Sequence, residues 1–485
     1  MRVWSWGRVC GLDEGLVLVK FKKIHVALVM VVSLLMPNMA LTASLPDAMA
    51  SAYMNSKLLE SARTALRAQD EDVPAALAAM RPQLSALARV SGRTRRAPPG
   101  GNMKRPRTTD SSLPATLQLI AEIQVYDGGD TDLTVQAAQE SIRAARQSLV
   151  EVEQQVLLAA AQAYHDVLRQ RELLEVAENG LILTKTQLQA AQSRFELGEI
   201  TRTDVSLVEA SLATAQGRVF MREGDLEIAE RNYELAVGTL PGALDPTPPL
   251  PELPADLEHA QSIAAQVHPA IKRAKHALSA ARLTLRRSET AKRPRISVGS
   301  SVGTNRDLQH WSHGTDTMEI FVETRIPLYQ GGTTSSLLRR AVANAERAAV
   351  ELQREAQLVA LDVSIAHSRL EVAESLIPTN EQHVDSAELA YQGIRQETAL
   401  GARTTIDLLN AEQDLQEARS NLVAALKERD MAVYALLESV GLLTVQHLGL
   451  GVPEYDAKEN FNRVKDAPDV RNRQEIVDRI LEKTR

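Results

Sequence analysis

The feature that most constrains this chain is that a large part of it is written twice. Adding 203 to a residue number carries Gly198 to Gly401, Thr201 to Thr404, Asp204 to Asp407, Glu209 to Glu412, Leu212 to Leu415 and Ala215 to Ala418. These positions lie in two stretches, Arg194 to Ala215 (RFELGEITRTDVSLVEASLATA) and Glu397 to Ala418 (ETALGARTTIDLLNAEQDLQEA). In each, a glycine suited to a left-handed helix C-cap is followed by Thr and Asp suited to opening a new helix. Each stretch therefore predicts the tip of a helical hairpin. A duplicated chain of 485 residues calls for one architecture made twice, not three unrelated domains.

The arms of these hairpins are long. No proline interrupts Thr131 to Leu197, so 67 residues can form one helix of about 100 Å, with Asn179-Gly180 as its weak point. Thr333 to Leu400 repeats the arm, with a kink expected at Pro378. The returning arms, Thr203 to Val237 and Thr405 to Val440, are about half that length and carry heptads, such as Val205, Val208, Leu212, Ala215 and Val219. The first arm carries two seams, Leu149, Val152, Val156, Ala159 and Ala163 beside Leu157, Ala160, Tyr164 and Val167. A helix with two seams has neighbours on both sides. Helices over Ser44 to Met80, bent near Pro74, and Asp256 to Ala291 supply the missing length if stacked end to end with the short arms. They match each other at an offset of 212, as in Ala62 with Ala274 and Pro82 with Pro294. With aromatic residues at 3%, the chain suits narrow helix seams better than a thick globular core.

Between these helices the hydrophobic period changes from helical to two. Leu117, Leu119, Ala121, Ile123 and Val125 alternate with Thr116, Gln118, Ile120, Glu122 and Gln124. At the same offset, Ile320, Val322, Thr324, Ile326 and Leu328 alternate with Phe321, Glu323 and Arg325. Arg81 to Val90 and Arg295 to Asn305 read as their partner strands. About ten residues is the length that crosses an outer membrane when tilted, with lipid-facing and water-facing side chains in alternation. The glycines of YDGG (126–129) and YQGG (329–332) turn strand into helix. Four strands cannot close a barrel, so this reading requires several copies.

Lys20, Lys22 and Lys23 before the apolar run Ile24 to Met36, then the small residues Ala40 to Ser44, predict a secretory signal peptide over 1–43, cleaved near Ala43. Residues 1–18 fit no part of it and read as an overextended start. The remaining domains are a first repeat over 44–240, a Pro-rich linker over 241–255, a second repeat over 256–442 and a charged, irregular tail over 443–485 with a short helix from Arg471 to Lys483. The single cysteine, Cys10, precedes the cleavage site, so neither a disulfide nor a Cys metal site is expected. The Arg89 to Arg107 cluster reads as a basic loop, solvated or against anionic lipid head groups. A net charge of -7 and no interleaved aromatics give no reason to expect nucleic acid.

No cofactor and no catalysis is expected. Gly299-Ser300-Ser301-Val302-Gly303 fits a hydrolase elbow but lies in a strand with no helix after it. His310 and His313 lack a third metal ligand and read as a surface pair.

The doubled helix-strand-strand-helix-turn-helix pattern, the signal peptide, YDGG and YQGG, and the tips GEITRTDV and GARTTIDLL together resemble the TolC family of outer-membrane efflux and type I secretion channels, over about Ser44 to Leu442. The resemblance implies a mainly α fold with a small β part: duplicated α-helical hairpins plus four transmembrane strands per chain, completing a twelve-stranded barrel in a homotrimer. It implies an outer-membrane channel with a periplasmic tunnel that exports proteins or small toxic compounds. The partners implied are a periplasmic adaptor (membrane fusion protein) and an inner-membrane ABC or proton-driven transporter. By motif position, Asp204 and Arg403 resemble the family's latch and Asp407 its acidic pore ring. Phe195, Gly198, Glu199, Gly401 and Ala402 fall on the adaptor-facing tips. Thr398 stands where a latch tyrosine is found and Asn410 where a second ring aspartate is found, which implies a less tightly held closed state. Without the resemblance, Asp204 and Asp407 read as first-turn acids complementing the helix dipole. The other architecture built from long hairpins is a periplasmic coiled-coil adaptor or scaffold, which has no use for four alternating strands.

Overall fold

In the computed structural model the described residues are 43–96, 109–246, 248–308 and 314–466. The apolar run of the expected signal peptide, Cys10, the basic residues Lys104, Arg105 and Arg107, the pair His310 and His313, and the helix expected at Arg471 to Lys483 lie outside them.

The two long arms are α4 (Asp130–Glu196) and α8 (Thr333–Ala399), each 67 residues. Both begin behind a left-handed glycine, Gly129 and Gly332, as the doubled glycines predict. The short arms are α5 (Arg202–Val237) and α9 (Thr405–Val440), each 36 residues. Helix α4 passes unbroken through Gly180, where a Cβ would lie 3.2 Å from Gln416 Cδ, so the small residue admits α9. Helix α8 likewise runs on through Pro378.

The helices before the strands differ from the sequence expectation. The first is three pieces, α1 (Leu45–Asn55), α2 (Lys57–Asp70) and α3 (Asp72–Leu77), and the second is two, α6 (Leu257–Val267) and α7 (Pro269–Thr290). The breaks at Ser56 and His268 lie 212 residues apart, and each residue caps the next helix, Ser56 accepting from Leu59 N and His268 from Ala270 N. Their cause is tertiary. C-cap Gly238 of α5 abuts Asn55, and C-cap Gly441 of α9 abuts the backbone of His268. There each short arm ends, α2 or α7 continues its column, and α1 or α6 lies alongside.

Four columns result. Helix α4 packs on α5 and α9 toward the tips and on α2 and α7 toward the strands, and α8 packs on α9 and α7. Arg273 to Glu151 (2.9 Å), His276 to Glu140 (2.8 Å) and Arg287 to Asp130 (2.9 Å) tie α7 to the upper half of α4. The lateral order is therefore α5 with α2, α4, α9 with α7, then α8. Burial follows it: α4 and α9 bury nineteen and thirteen residues, but α8 and α5 only eight and six. The two outer columns are only half covered.

Tyr164 lies in the largest core and donates to Ala43 O (3.1 Å) and Asp245 O (2.8 Å), fastening the residue just ahead of the first repeat and the linker to α4. The chain after Gly449 is less irregular than expected. Val452, Tyr455 and Phe461 pack on this core, Tyr455 N donates to Tyr53 Oη, and Phe461 lies in the first turn of a short helix, α11 (Glu459–Val464), which follows α10 (Val445–Leu448). A few widely spaced apolar residues suffice to dock it.

The sheet contains β1 (Gln83–Val90), β4 (Pro114–Tyr126), β5 (Arg295–Asp307) and β6 (Gly314–Arg325), antiparallel in that order. Ile326 and Leu328 follow β6 instead of extending it. The basic stretch is not wholly loop: β2 (Arg93–Arg96) pairs antiparallel with β3 (Thr109–Ser112) as a small ribbon. Strands β1 and β6 are edges.

Candidate functional site

Two regions carry the functional geometry, at opposite ends of the columns. At the sheet, register aligns side chains across all four strands. Leu119 lies opposite Ala86 and Val302, and Val302 opposite Met318. Leu117, Ile123, Val298, Ile320 and Val322 fall on the same face by the two-residue period. This face is bare: Leu119 is 51% exposed and Met318 77%. The opposite face carries Gln118, Glu122, Ser301 and Glu319, with Phe321 lying over Gly299, where a Cβ would come within 2.4 Å of the ring. Among the described residues no helix is long and apolar enough to cross a membrane.

At the far end, both tips are built alike. Gly198 and Gly401 take left-handed φ values of 79° and 76°. Glu199 N donates to Arg194 O and Ala402 N to Glu397 O, both 2.9 Å, closing each helix with the six-to-one bond of a Schellman cap. Thr201 and Thr404 then open the next helices through capping boxes. Asp204 Oδ2 accepts from Thr201 N (2.9 Å) and Oγ1 (2.7 Å), and Asp407 Oδ2 from Thr404 N (3.0 Å) and Oγ1 (2.7 Å). The Thr201 hydroxyl holds the Asp204 carboxyl below the usual carboxylate range, and the Thr404 hydroxyl does the same for Asp407.

Arg403 Nε pairs with Glu397 at 2.9 Å, and that hydrogen bond raises its pKa further. Within one chain, therefore, Asp204 is held mainly by Thr201 of its own tip with the Thr405 hydroxyl of the second tip beside it, Arg403 is held by Glu397, and among the described residues no ion pair joins Asp204 to Arg403. A second cross-tip contact is made by a residue that sequence reasoning missed. Arg194 binds Glu199 (3.1 Å) and reaches Thr398 O on the second tip (3.4 Å). The repeat carries Arg194 to Glu397, so each tip has one brace across its turn with the signs exchanged. Thr398 is buried, its hydroxyl on Ile394 O. Within the expected adaptor-facing stretches 195–199 and 398–402, the most exposed large apolar side chains are Leu197 and Leu400, 203 apart and 75% and 86% exposed at the extreme ends, where Phe195 is also partly bare.

Behind the tips, a cavity of about 190 Å³ lies between the hairpins, lined by residues that include Leu183, Gln187, Val208, Tyr391 and Leu408. One step further in, Glu412 is 5% exposed in the seam of α9 with α4 and accepts from Thr184 Oγ1 at 2.8 Å. Burial pushes its carboxyl above the usual range. Its repeat partner Glu209 is exposed. No group of His, Cys, Asp and Glu suited to a metal occurs among the described residues.

Comparison with known proteins agrees with this geometry. The family described as outer membrane efflux protein matches residues 49–239 and 261–442. The chain is 34% identical over 429 residues, 88% of its length and 91% of the relative's, to outer membrane efflux protein BepC of Brucella suis biovar 1. It is 26% identical to alkaline protease secretion protein AprF of Pseudomonas aeruginosa, over 64% of this chain and 67% of that one. Among solved structures, the Campylobacter jejuni CmeC outer membrane channel superposes with TM-score 0.69 at 14% identity, covering 88% of this chain and 90% of the other. VceC of Vibrio cholerae gives 0.66 at 19%, covering 82% and 96%.

Proposed function

The chain belongs to the outer membrane efflux protein family, and from that premise we propose that three copies join edge to edge into one continuous export conduit. As a member of that family it is a channel in the outer membrane with a periplasmic tunnel, not an enzyme. In the proposed assembly β6 of one copy meets β1 of the next, and twelve strands close a barrel whose bare apolar face meets lipid. Twelve columns continue below as the tunnel wall. The observation that carries this reading is the coincidence, in one chain, of an open four-stranded sheet with a bare apolar face and two outer columns that lack neighbours. A periplasmic adaptor or scaffold would need neither.

In this reading the tips form the gate. Three copies of Asp407 ring the aperture and favour cations, while Asp204, Arg403 and the Arg194 and Glu397 braces set how firmly the hairpins are held. The surface made by Phe195, Gly198 and Glu199 and by Gly401 and Ala402, with Leu197 and Leu400, receives a periplasmic adaptor, which links the tunnel to an inner-membrane ABC or proton-driven transporter. Cargo is protein or small toxic compounds; one relative is named for alkaline protease secretion and another for efflux. The test is single-channel recording in a planar bilayer. Asp407→Ala with Arg403→Ala raises conductance if these residues hold the aperture; unchanged conductance removes them from it.

A further inference from the structure

We infer that α8 of one copy seats against α5 of a second copy in the register that α4 and α9 already display inside the chain, with Arg369 paired to Glu227 of the second copy. This deepens the trimer reading above and rests on it.

Inside the chain, α4 and α9 meet at three fixed points: Thr184 on Glu412 (2.8 Å), Gly180 against Gln416, and Asp166 paired with Lys427. The repeat turns α4 into α8 and α9 into α5. Moved by 203, the seam becomes one between α8 and an α5 that the same chain cannot supply, because its own α5 lies on the opposite outer column. The residues that would fill this seam are exposed here, including Arg369 and His383 on α8 and Ala213 and Glu227 on α5. The contrast is sharp at Leu173, which is 5% exposed on α4, against its repeat Leu376, which is 45% exposed on α8.

Side-chain chemistry changes across the repeat in compensating pairs. Gly180 against Gln416 becomes His383 against Ala213, so the bulk crosses the seam while the space to be filled stays similar. Acidic Asp166 becomes Arg369 on α8. The position of Lys427 becomes Gly224, which leaves room for a long side chain, and Asp430, which faces His165 of α4 at 3.7 Å, becomes Glu227. Arginine on α8 thus meets an acid on α5 where α4 offers an acid to a lysine on α9. Such exchanges also bias each helix toward its proper neighbour, because like charges face each other if α8 is offered the wrong seam.

The test uses the exported full-length chain with His383→Cys and Ala213→Cys, treated in outer-membrane fractions with the shortest bis-methanethiosulfonate cross-linker. A reducible ladder ending at the trimer mass is expected, with little product when Ala213→Cys is replaced by Phe220→Cys, one heptad and about 10 Å along the helix. If the parent is trimeric but the in-register pair fails to cross-link, or does so no better than the shifted pair, the register is wrong and the trimer survives. A parent that is monomeric in mild detergent overturns both. Independently, Arg369→Glu should reduce the trimer fraction surviving mild heating severalfold, and adding Glu227→Arg should restore most of it. A double variant as weak as the single one overturns the pairing.

Discussion

The sharpest energetic consequence concerns Leu119. It lies one residue from the centre of the 13-residue β4, on the bare apolar face between Ala86 and Val302. At a strand rise of about 3.4 Å, thirteen residues span roughly 40 Å, or about 30 Å along the membrane normal when tilted by about 40°. Leu119 is then within a few ångströms of the bilayer midplane. An arginine on the lipid face at that depth costs about 2–4 kcal/mol per copy, a factor of roughly 30 to 700 in the folded population. Three copies multiply this to about 6–12 kcal/mol per assembly. Gln118→Arg, one residue away on the opposite face beside Gly303, points into the lumen of the proposed barrel and should cost close to nothing. Refolding into lipid vesicles under a urea titration, scored by heat-resistant migration, compares the two variants directly. Equal midpoints for Leu119→Arg and Gln118→Arg would refute the assignment of the faces.

Other expectations concern the tips and the seam behind them. Gly401 has no atom within 4 Å of a built Cβ, so Gly401→Ala meets no clash and only the strain of a left-handed φ of 76°. That strain costs about 1–2 kcal/mol, so hydrogen exchange at Leu400 to Ala402 should speed up roughly 5- to 30-fold; unchanged exchange contradicts the cap. Glu412 has a carboxyl pushed up by burial, so its folded form favours the neutral state. Its contribution is full below the ordinary carboxylate pKa and is lost as pH rises through the raised folded value. Glu412→Gln keeps the acceptor for Thr184 and should flatten that decline, read as protection of the α4 and α9 amides between about pH 4 and pH 8; an unaltered slope rejects it. Asp204 and Asp407 carry the opposite sign: their depressed pKa values make the tips firmest at neutral pH, and the gain is lost as pH falls through the folded values.

Much of this architecture was legible because it is local or doubled. The ends of α4, α8, α5 and α9 are set by Gly129 and Gly332, by the capping boxes of Thr201 and Thr404, and by Gly238 and Gly441, all short-range signals. The strands are visible through a period of two that needs no knowledge of their partners. What escaped depends on distant chain. Ser56 and His268 break their helices because the ends of α5 and α9 arrive there, although Pro269 offered a local hint. The bracing of Arg194 and Glu397 was hidden because the repeat reverses their charges. Glu412 is buried and Glu209 exposed for one reason: α9 lies between α8 and α4, whereas α5 is on an outer column with α4 on one side only. The tail packs through Tyr455 and Phe461, too widely spaced to show a period.

The central claim is that one face of the sheet meets lipid and the other meets water. Nitroxide labels placed singly from Thr317 to Glu323 on β6, in the protein assembled in bilayers, test it by accessibility to oxygen and to a water-soluble nickel chelate. The account predicts a two-residue alternation, with oxygen maxima at Met318, Ile320 and Val322 and nickel maxima at Thr317, Glu319 and Glu323. A flat profile, or one with its maxima exchanged between the two sets, would contradict it.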